Sequence, residues 1–305
     1  MINDYVIKLI DNLPDDIKNA KEPILIDLVL DGGVFNGSYL VGALYFLKEM
    51  EKRNYIKIDR MSGCSVGGIV ALLYHMDALE MMHQLYEIVN KDFRQTYKLQ
   101  FVKELKKYLA HRIPDDIMQK VNHKLFISYH NIKKDCKQVK STYKDVDDLI
   151  QTIIKSSYIP CFIDGNILYE NKYMDGITPY IFSREPNKKI LYLDLYGYDK
   201  IGNLFNVKNE KTNFHRILSG LLEIHSFYIK QSSTQMCSYV NDWSLSHSGF
   251  NYCKFLVERC CIYFTYFLVF MKDKIPEECR QNILYKILSK ISQDIFIIIL
   301  ENYCL

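Results

Sequence analysis

Near the N-terminus the apolar positions come in short unbroken runs. Residues 24–30, Ile-Leu-Ile-Asp-Leu-Val-Leu, are apolar at all but one position, which predicts a buried parallel strand. The run ends at Asp31-Gly32-Gly33-Val34-Phe35-Asn36-Gly37. From Ser38 to Arg53 the rhythm changes: apolar residues at 40, 41, 44 and 47 fall at roughly helical spacing, and Lys48, Glu49, Glu51, Lys52 and Arg53 close the segment. Residues 56–61 predict a second strand. A second glycine turn, Gly63-Cys64-Ser65-Val66-Gly67, leads into the apolar helix start Ile69-Val70-Ala71-Leu72-Leu73. Strand, glycine turn and helix thus occur twice within 76 residues, the alternation of a parallel sheet covered by helices.

Upstream, residues 1–22 read as an amphipathic helical lead-in that stops at Pro23. Residues 77–122 are helical in pattern, broken at Pro114, where Asp115 and Asp116 suit a first turn. Residues 125–131 and 137–142 predict a pair of strands, and Asp145 a helix cap before an apolar stripe at Ile150, Ile153 and Ile154. Ser156-Ser157-Tyr158-Ile159-Pro160 is a loop signal. Residues 167–169 and 172–174 flank Glu170-Asn171 as a hairpin that delivers Asp175-Gly176, and 189–196 predict another buried strand. Beyond Thr212 only helical periodicity is visible. Its last member carries apolar residues at 284, 287, 288, 291, 295, 298 and 299, one face of an amphipathic helix.

Size and composition add bounds. At 305 residues the chain buries a sizeable core. The expected division is a lead-in over 1–22, an α/β domain over 23–205 and a helical region over 206–305 packed on it. A net charge of +3 gives no reason to expect nucleic acid and permits weak attraction to anionic lipid. Nine cysteines, without zinc spacing, read as free thiols in a reducing compartment. Residues 1–20 carry Asp4, Asp11, Asp15 and Asp16 and do not read as a signal peptide. The expected location is therefore intracellular, cytoplasmic or peripheral to a membrane. The apolar run 260–271 is too short to span a bilayer and is expected to be a core helix, with Cys260-Cys261 packed inside, in preference to a membrane-facing surface.

The chemistry gathers at the two glycine turns. Gly-x-Ser-x-Gly between a strand and a helix is the pattern of a nucleophile elbow, with Ser65 at a helix N-terminus that favours developing negative charge. Gly63 and Gly67 are required where strand and helix crowd together. The Gly32-Gly33-Val34 turn can supply backbone N–H donors to an oxyanion. A phosphate-binding loop is the competing reading, although neither Gly-x-Gly-x-x-Gly nor Gly-Lys-Ser/Thr is present. A triad hydrolase would need a late histidine. His215, His225 and His247 sit in helical or polar context, none in an evident loop after a strand. Asp175 does follow a strand, and a partly desolvated carboxylate can take a serine proton directly. Taken alone, Asp175-Gly176 also reads as an ordinary turn.

Together these stretches resemble the patatin-like phospholipases. Asp31-Gly32-Gly33-Val34-Phe35-Asn36-Gly37 is similar to that family's Asp-Gly-Gly-Gly-x-Arg/Lys-Gly oxyanion loop. Gly63-Cys64-Ser65-Val66-Gly67 matches its elbow, and Asp175-Gly176 its Asp-Gly. Ser156-Ser157-Tyr158-Ile159-Pro160 resembles its Ala-Ser-x-Ala-x-Pro segment. The resemblance covers about residues 24–200. It implies a three-layer α/β/α fold and a lipid acyl hydrolase without metal or cofactor. Ser65 would be the nucleophile and Asp175 the proton acceptor. Gly32, Gly33 and Val34 would form the oxyanion hole, with Asn36 as a further candidate. The implied partner is a lipid substrate at a membrane or droplet surface; the oligomeric state stays open.

Three positions depart from the family pattern: Val34 replaces its third glycine, Asn36 its basic residue and Ile177 the Gly/Ala after Asp-Gly. Val34 and Asn36 support one alternative, a non-catalytic lipid-binding or scaffold protein; the alternative among enzymes is a serine acyltransferase or an ordinary triad hydrolase. Cys64 is expected to be a buried small residue and Trp243 a partly buried anchor.

Overall fold

The computed structural model describes residues 2–109, 111–208, 210–276 and 282–305. Among the described residues, seven strands form one mixed sheet: β1 Ile24–Leu30, β2 Ile56–Gly63, β3 Leu125–Asn131, β4 Cys136–Lys140, β5 Tyr173–Asp175, β6 Lys189–Leu193 and β7 Cys237–Tyr239. The order is β4-β3-β2-β1-β6-β7, with β5 pairing to β3 off that path. β1 is parallel to both β2 and β6, and β2 to β3, whereas β4 and β5 run antiparallel to β3 and β7 antiparallel to β6.

The helices described are α1 Ile2–Asp11, α2 Asp15–Lys18, α3 Gly37–Lys52, α4 Val66–His75, α5 Met81–Thr96, α6 Phe101–Leu109, α7 Ile117–Val121, α8 Val146–Ser156, α9 Phe214–Lys230, α10 Leu245–Lys274 and α11 Ile283–Tyr303. The lead-in is thus two helices; Pro14 supplies no N–H and starts the second. α8 begins as its sequence dictates, with the Asp145 side chain accepting the N–H of Asp148 at 2.8 Å.

Successive strand residues face opposite sides, and this separates the two faces of the sheet. Ile26, Leu28 and Leu30 of β1, with Leu191 and Leu193 of β6, join the large core that also holds α3, α4 and α9. Val29, Ile190 and Tyr192 point the other way, against Phe182, Val240 and Trp243. Asp27, Asp31 and Asp194 share this second face by parity. Asp27 is fully buried and held by Arg60, whose Nε lies 3.0 Å from its Oδ1. Trp243 is partly buried and donates to Ser238 Oγ at 2.9 Å.

Four expectations change. β7 was unseen in the sequence because three residues, Cys-Ser-Tyr, carry no periodicity of their own. β7 and α9 also carry the sheet and its helical cover past residue 206. The 167–174 hairpin shrinks to one bridge, Tyr169 with Tyr173, around Glu170 and Asn171 at positive φ; Tyr173 onward pairs with β3 instead. The largest difference is in α10 and α11. Residues 260–271 are not a core helix: α10 buries only Glu258, Ile262 and Thr265, while Cys260, Cys261, Tyr263, Phe264, Phe267 and Phe270 are exposed. The apolar stripe of α11 is likewise exposed at Leu284, Ile287, Ile291, Ile295, Ile298 and Ile299; the side chain of Leu288 lies outside the described residues. Among the described residues, no helix is long and apolar enough to cross a membrane.

Candidate active site

β2 ends at Gly63, α4 begins at Val66, and the chain reverses between them through Ser65 at φ 51° and ψ −130°. The turn is as tight as backbone allows. A Cβ on Gly63 would stand 2.7 Å from the Gly67 carbonyl, and one on Gly67 2.5 Å from the Asp31 carbonyl. Ser65 holds its unusual backbone through a partner in α8: its N–H donates to Ser156 Oγ at 2.9 Å, and Ser156 Oγ donates to the Ser128 carbonyl at 2.6 Å. Cys64 is buried, with Sγ 3.4 Å from the Ile177 carbonyl, and burial pushes its thiol far above the ordinary range.

Sheet register brings Asp175 to the elbow. Gly63, the last residue of β2, pairs with Ile127 of β3. Two residues further along β3, Tyr129 pairs with Asp175 of β5. β5 therefore takes up β3 pairing beyond the end of β2, and the aspartate arrives where the elbow opens. Its N–H donates to the Tyr158 carbonyl at 2.9 Å, and its Oδ1 accepts the Ile177 N–H at 2.7 Å. Gly176 must lack a side chain, since a Cβ there would collide with the Ser128 carbonyl. Burial pushes the Asp175 carboxyl up to about 6, against the lowering effects of the Ile177 N–H, the Ser65 side chain and Lys137. The effect of Ser65 is that of a hydrogen-bond donor to this carboxylate.

The 31–37 loop lies against the same serine. A Cβ on Gly32 would sit 3.3 Å from Ser65 Cβ and 3.1 Å from Cys64 Sγ. The Gly32 N–H is already used, donating to Asp31 Oδ1 at 3.0 Å. Among the described residues, the Gly33 and Val34 N–H groups have no protein acceptor. Val34 is held at φ 45°. Asn36 is buried and turned into the protein: its Nδ2 donates to the Lys200 and Leu195 carbonyls at 2.9 and 3.3 Å, and its Oδ1 accepts from Arg216 Nη1 at 2.6 Å. Arg216, fully buried in α9, also binds Glu210 and the carbonyls of Asn203 and Asn206. Gly32 thus lies against Ser65 with its N–H engaged, Val34 lines a cavity with Ser65, and the Asn36 side chain is turned into the protein with its donors engaged.

Ser65 also opens onto an apolar cavity of about 70 Å³ between α4, α5 and α6, lined by Phe35, Ile69, Met82, Leu85, Phe101 and Val102. The three late histidines are elsewhere. His215 meets Glu210, His247 meets Ser244, and His225 lies edge-on to Phe46. Sequence reasoning missed a layer of charged side chains behind Ser65 and Asp175: Lys137 of β4, and Lys254 and Glu258 of α10. A lysine and a glutamate four apart, ahead of the aromatic-rich run of α10, were the available signal.

Fold and site define a mixed α/β protein whose strand–turn–helix elbow opens at the carboxyl ends of parallel strands, where such sheets bind ligands. Residues 28–178 match the family model described as Patatin-like phospholipase, and the chain carries a domain of that family, which generally comprises lipid acyl hydrolases. Both glycine turns and Asp175 fall within the match. A search of curated proteins finds no match to the chain.

Proposed function

We propose that this protein cleaves acyl esters of phospholipids or neutral lipids through Ser65 and Asp175. Ser65 Oγ attacks the acyl carbonyl while Asp175 takes its proton. The Gly33 and Val34 N–H groups and the N-terminus of α4 accept the charge of the tetrahedral oxyanion. Asp175 returns the proton to the leaving alcohol, and water then releases the acyl group from Ser65 by the same proton path. The observation that carries this reading is the meeting of Ser65 with a buried aspartate whose pKa is about 6, basic enough to accept a proton and ionised at neutral pH.

The apolar cavity beside Ser65 suits an acyl chain. The substrate's surface is suited by the outer face of α10, where Phe255, Phe264, Phe267 and Phe270 are exposed, and by the exposed apolar stripe of α11. Arg259 and Lys274 lie over the rings of Phe255 and Phe270, 5.1 and 5.6 Å from their centres, the mixture of cations and aromatics that headgroup phosphates attract. This face continues from the helix that borders the site, so we assign it to a lipid surface, with peripheral attachment.

A fluorophosphonate ester tests the nucleophile. Peptide mass spectrometry is expected to find its adduct on Ser65 alone, and an unlabelled Ser65 in folded protein would end the hydrolase reading.

A further inference from the structure

α10 lies outside the stretch that matches the family, yet its inner face reaches both loops of the site. Lys254 leaves only 9% of its side chain exposed, and its Nζ lies 2.8 Å from Asp31 Oδ2 and 2.7 Å from Asp194 Oδ2. Asp31 directly follows β1, and its other oxygen holds the Gly32 N–H. Asp194 directly follows β6, the neighbouring strand, and its Oδ1 accepts the Tyr196 N–H at 2.6 Å. One cation therefore ties a fully buried carboxylate, Asp31, and a partly buried one, Asp194, at the carboxyl edge to the start of the 31–37 loop. A lysine so paired is strongly positioned, because losing it leaves two facing carboxylates without a counter-charge.

One helical turn later, Glu258 does the same for the other loop. Its side chain is buried, takes the hydroxyl of Thr178, and lies 3.0 Å from Lys137 Nζ and 3.1 Å from His130 Nε2. Thr178 is three residues past Asp175; its carbonyl accepts from Ser128 Oγ at 2.9 Å, and its N–H donates to the Gly176 carbonyl at 2.6 Å. Residues 254 and 258 fall on one helix face by their spacing, and Ile262 and Thr265 continue that buried stripe. The opposite face is the exposed aromatic one.

The geometry points to Lys254 and Glu258 as positioning residues: through them α10 sets the oxyanion loop and the Asp175 loop against Ser65. This rests on the proposed hydrolase reading. Neither residue touches the reacting atoms; each acts through a neighbour, Asp31 for Lys254 and Thr178 for Glu258. Glu258 has a second effect, because its charge favours the protonated form of Asp175. The groups facing Asp175 are Ser65 and Cys64 of the elbow, Lys137 of β4, Glu258 and Cys261 of α10 and Tyr196 after β6, with His130 of β3 behind Glu258.

The test uses the full chain and a water-soluble short-chain ester, which needs no lipid surface. Lys254→Met is expected to lower kcat roughly 10- to 100-fold with little change in KM, and Lys254→Arg to recover part of it. Glu258→Gln keeps the size of the side chain and removes its charge. The acid limb of its kcat/KM profile is expected to move to lower pH, since Lys137 then acts on Asp175 unopposed. Hydrogen exchange is measured alongside, and protection is expected to fall selectively at 31–37 in Lys254→Met and at 175–179 in Glu258→Gln. Folded variants with wild-type kcat, an unmoved acid limb and unchanged protection in both loops would overturn the proposal. A wild-type protein that turns over no ester would overturn the hydrolase reading instead, and hydrogen exchange would still decide the positioning.

Discussion

The hydroxyl of Ser156 accepts the backbone N–H of Ser65 at 2.9 Å, tying the end of α8 to the turn that carries Ser65. Ser65 is a non-glycine residue at positive φ, a conformation that costs energy and persists only where its surroundings enforce it. Ser156→Ala leaves that buried N–H and the Ser128 carbonyl without their shared partner, a loss of about 1–3 kcal/mol. The expected result is a lower Tm by thermal denaturation together with a lower kcat on a soluble ester. A variant with lowered Tm and full kcat would show that the bond supports the fold without positioning the serine.

Activity should rise with pH through about 6, where Asp175 ionises. The same shift sets a stability cost. Its folded pKa lies above the ordinary 3.8, so between pH 4 and 6 the native protein holds a proton that the unfolded chain has released. Stability from this group therefore falls as pH rises across that window and stays lower above it. Asp175→Asn should be more stable than wild type at pH 7 by on the order of 2–3 kcal/mol, an advantage that fades towards pH 4. Chemical denaturation at the two pH values measures it; an Asn variant less stable at pH 7 would contradict the assignment of a burial-raised carboxylate.

Two departures from the family pattern share a physical consequence. Val34 and Ile177 are both β-branched and both held at positive φ, 45° and 59°. A β-branched residue there costs roughly 1–2 kcal/mol, against about 0.5–1 kcal/mol for the extra chain freedom of glycine. Val34→Gly is expected to raise Tm slightly and to leave kcat undiminished, since the N–H at position 34 is kept. Ile177→Gly should come out near neutral, because it also gives up packing against Met174 and Ile262. A clear fall in Tm for Val34→Gly would show that the surrounding contacts, and not the backbone, govern this position.

The exposed aromatic face predicts a separable defect. Phe264→Asp with Phe267→Asp should abolish co-sedimentation with anionic phospholipid vesicles and leave turnover of a soluble ester near wild type. Each buried Phe contributes about 1.5–3 kcal/mol to such association, so two charges in their place are a severe penalty. A wild-type protein that ignores vesicles and forms a dimer, broken by the same substitutions, would assign this face to a second copy of the chain.

What was legible in the sequence divides by range. β1, α3 and α8 could be read because run, period and cap lie within a few residues of one another, as with Asp145 and Asp148. Ser65 and Asp175 were legible as motif positions, although only the register of β5 on β3 brings them together. Asn36 was not: its partners at 195, 200 and 216 lie some 160–180 residues away, and they turn the amide inward. Lys254 and Glu258 were missed for the same reason. The stripe of α11 and the aromatic run of α10 show a different limit. Periodicity marks one apolar face of a helix but says nothing about what covers it, and here the protein's own core does not.

The dyad itself is tested most directly by turnover. Wild-type protein, Ser65→Ala and Asp175→Asn are given one chromogenic short-chain ester at pH 7.5, with folding checked by circular dichroism. The expected result is hydrolysis by wild type, none above background by Ser65→Ala, and a loss of roughly 10²-fold or more in kcat for Asp175→Asn, the contribution of a positioned general base. Equal rates for all three would contradict the account at its centre.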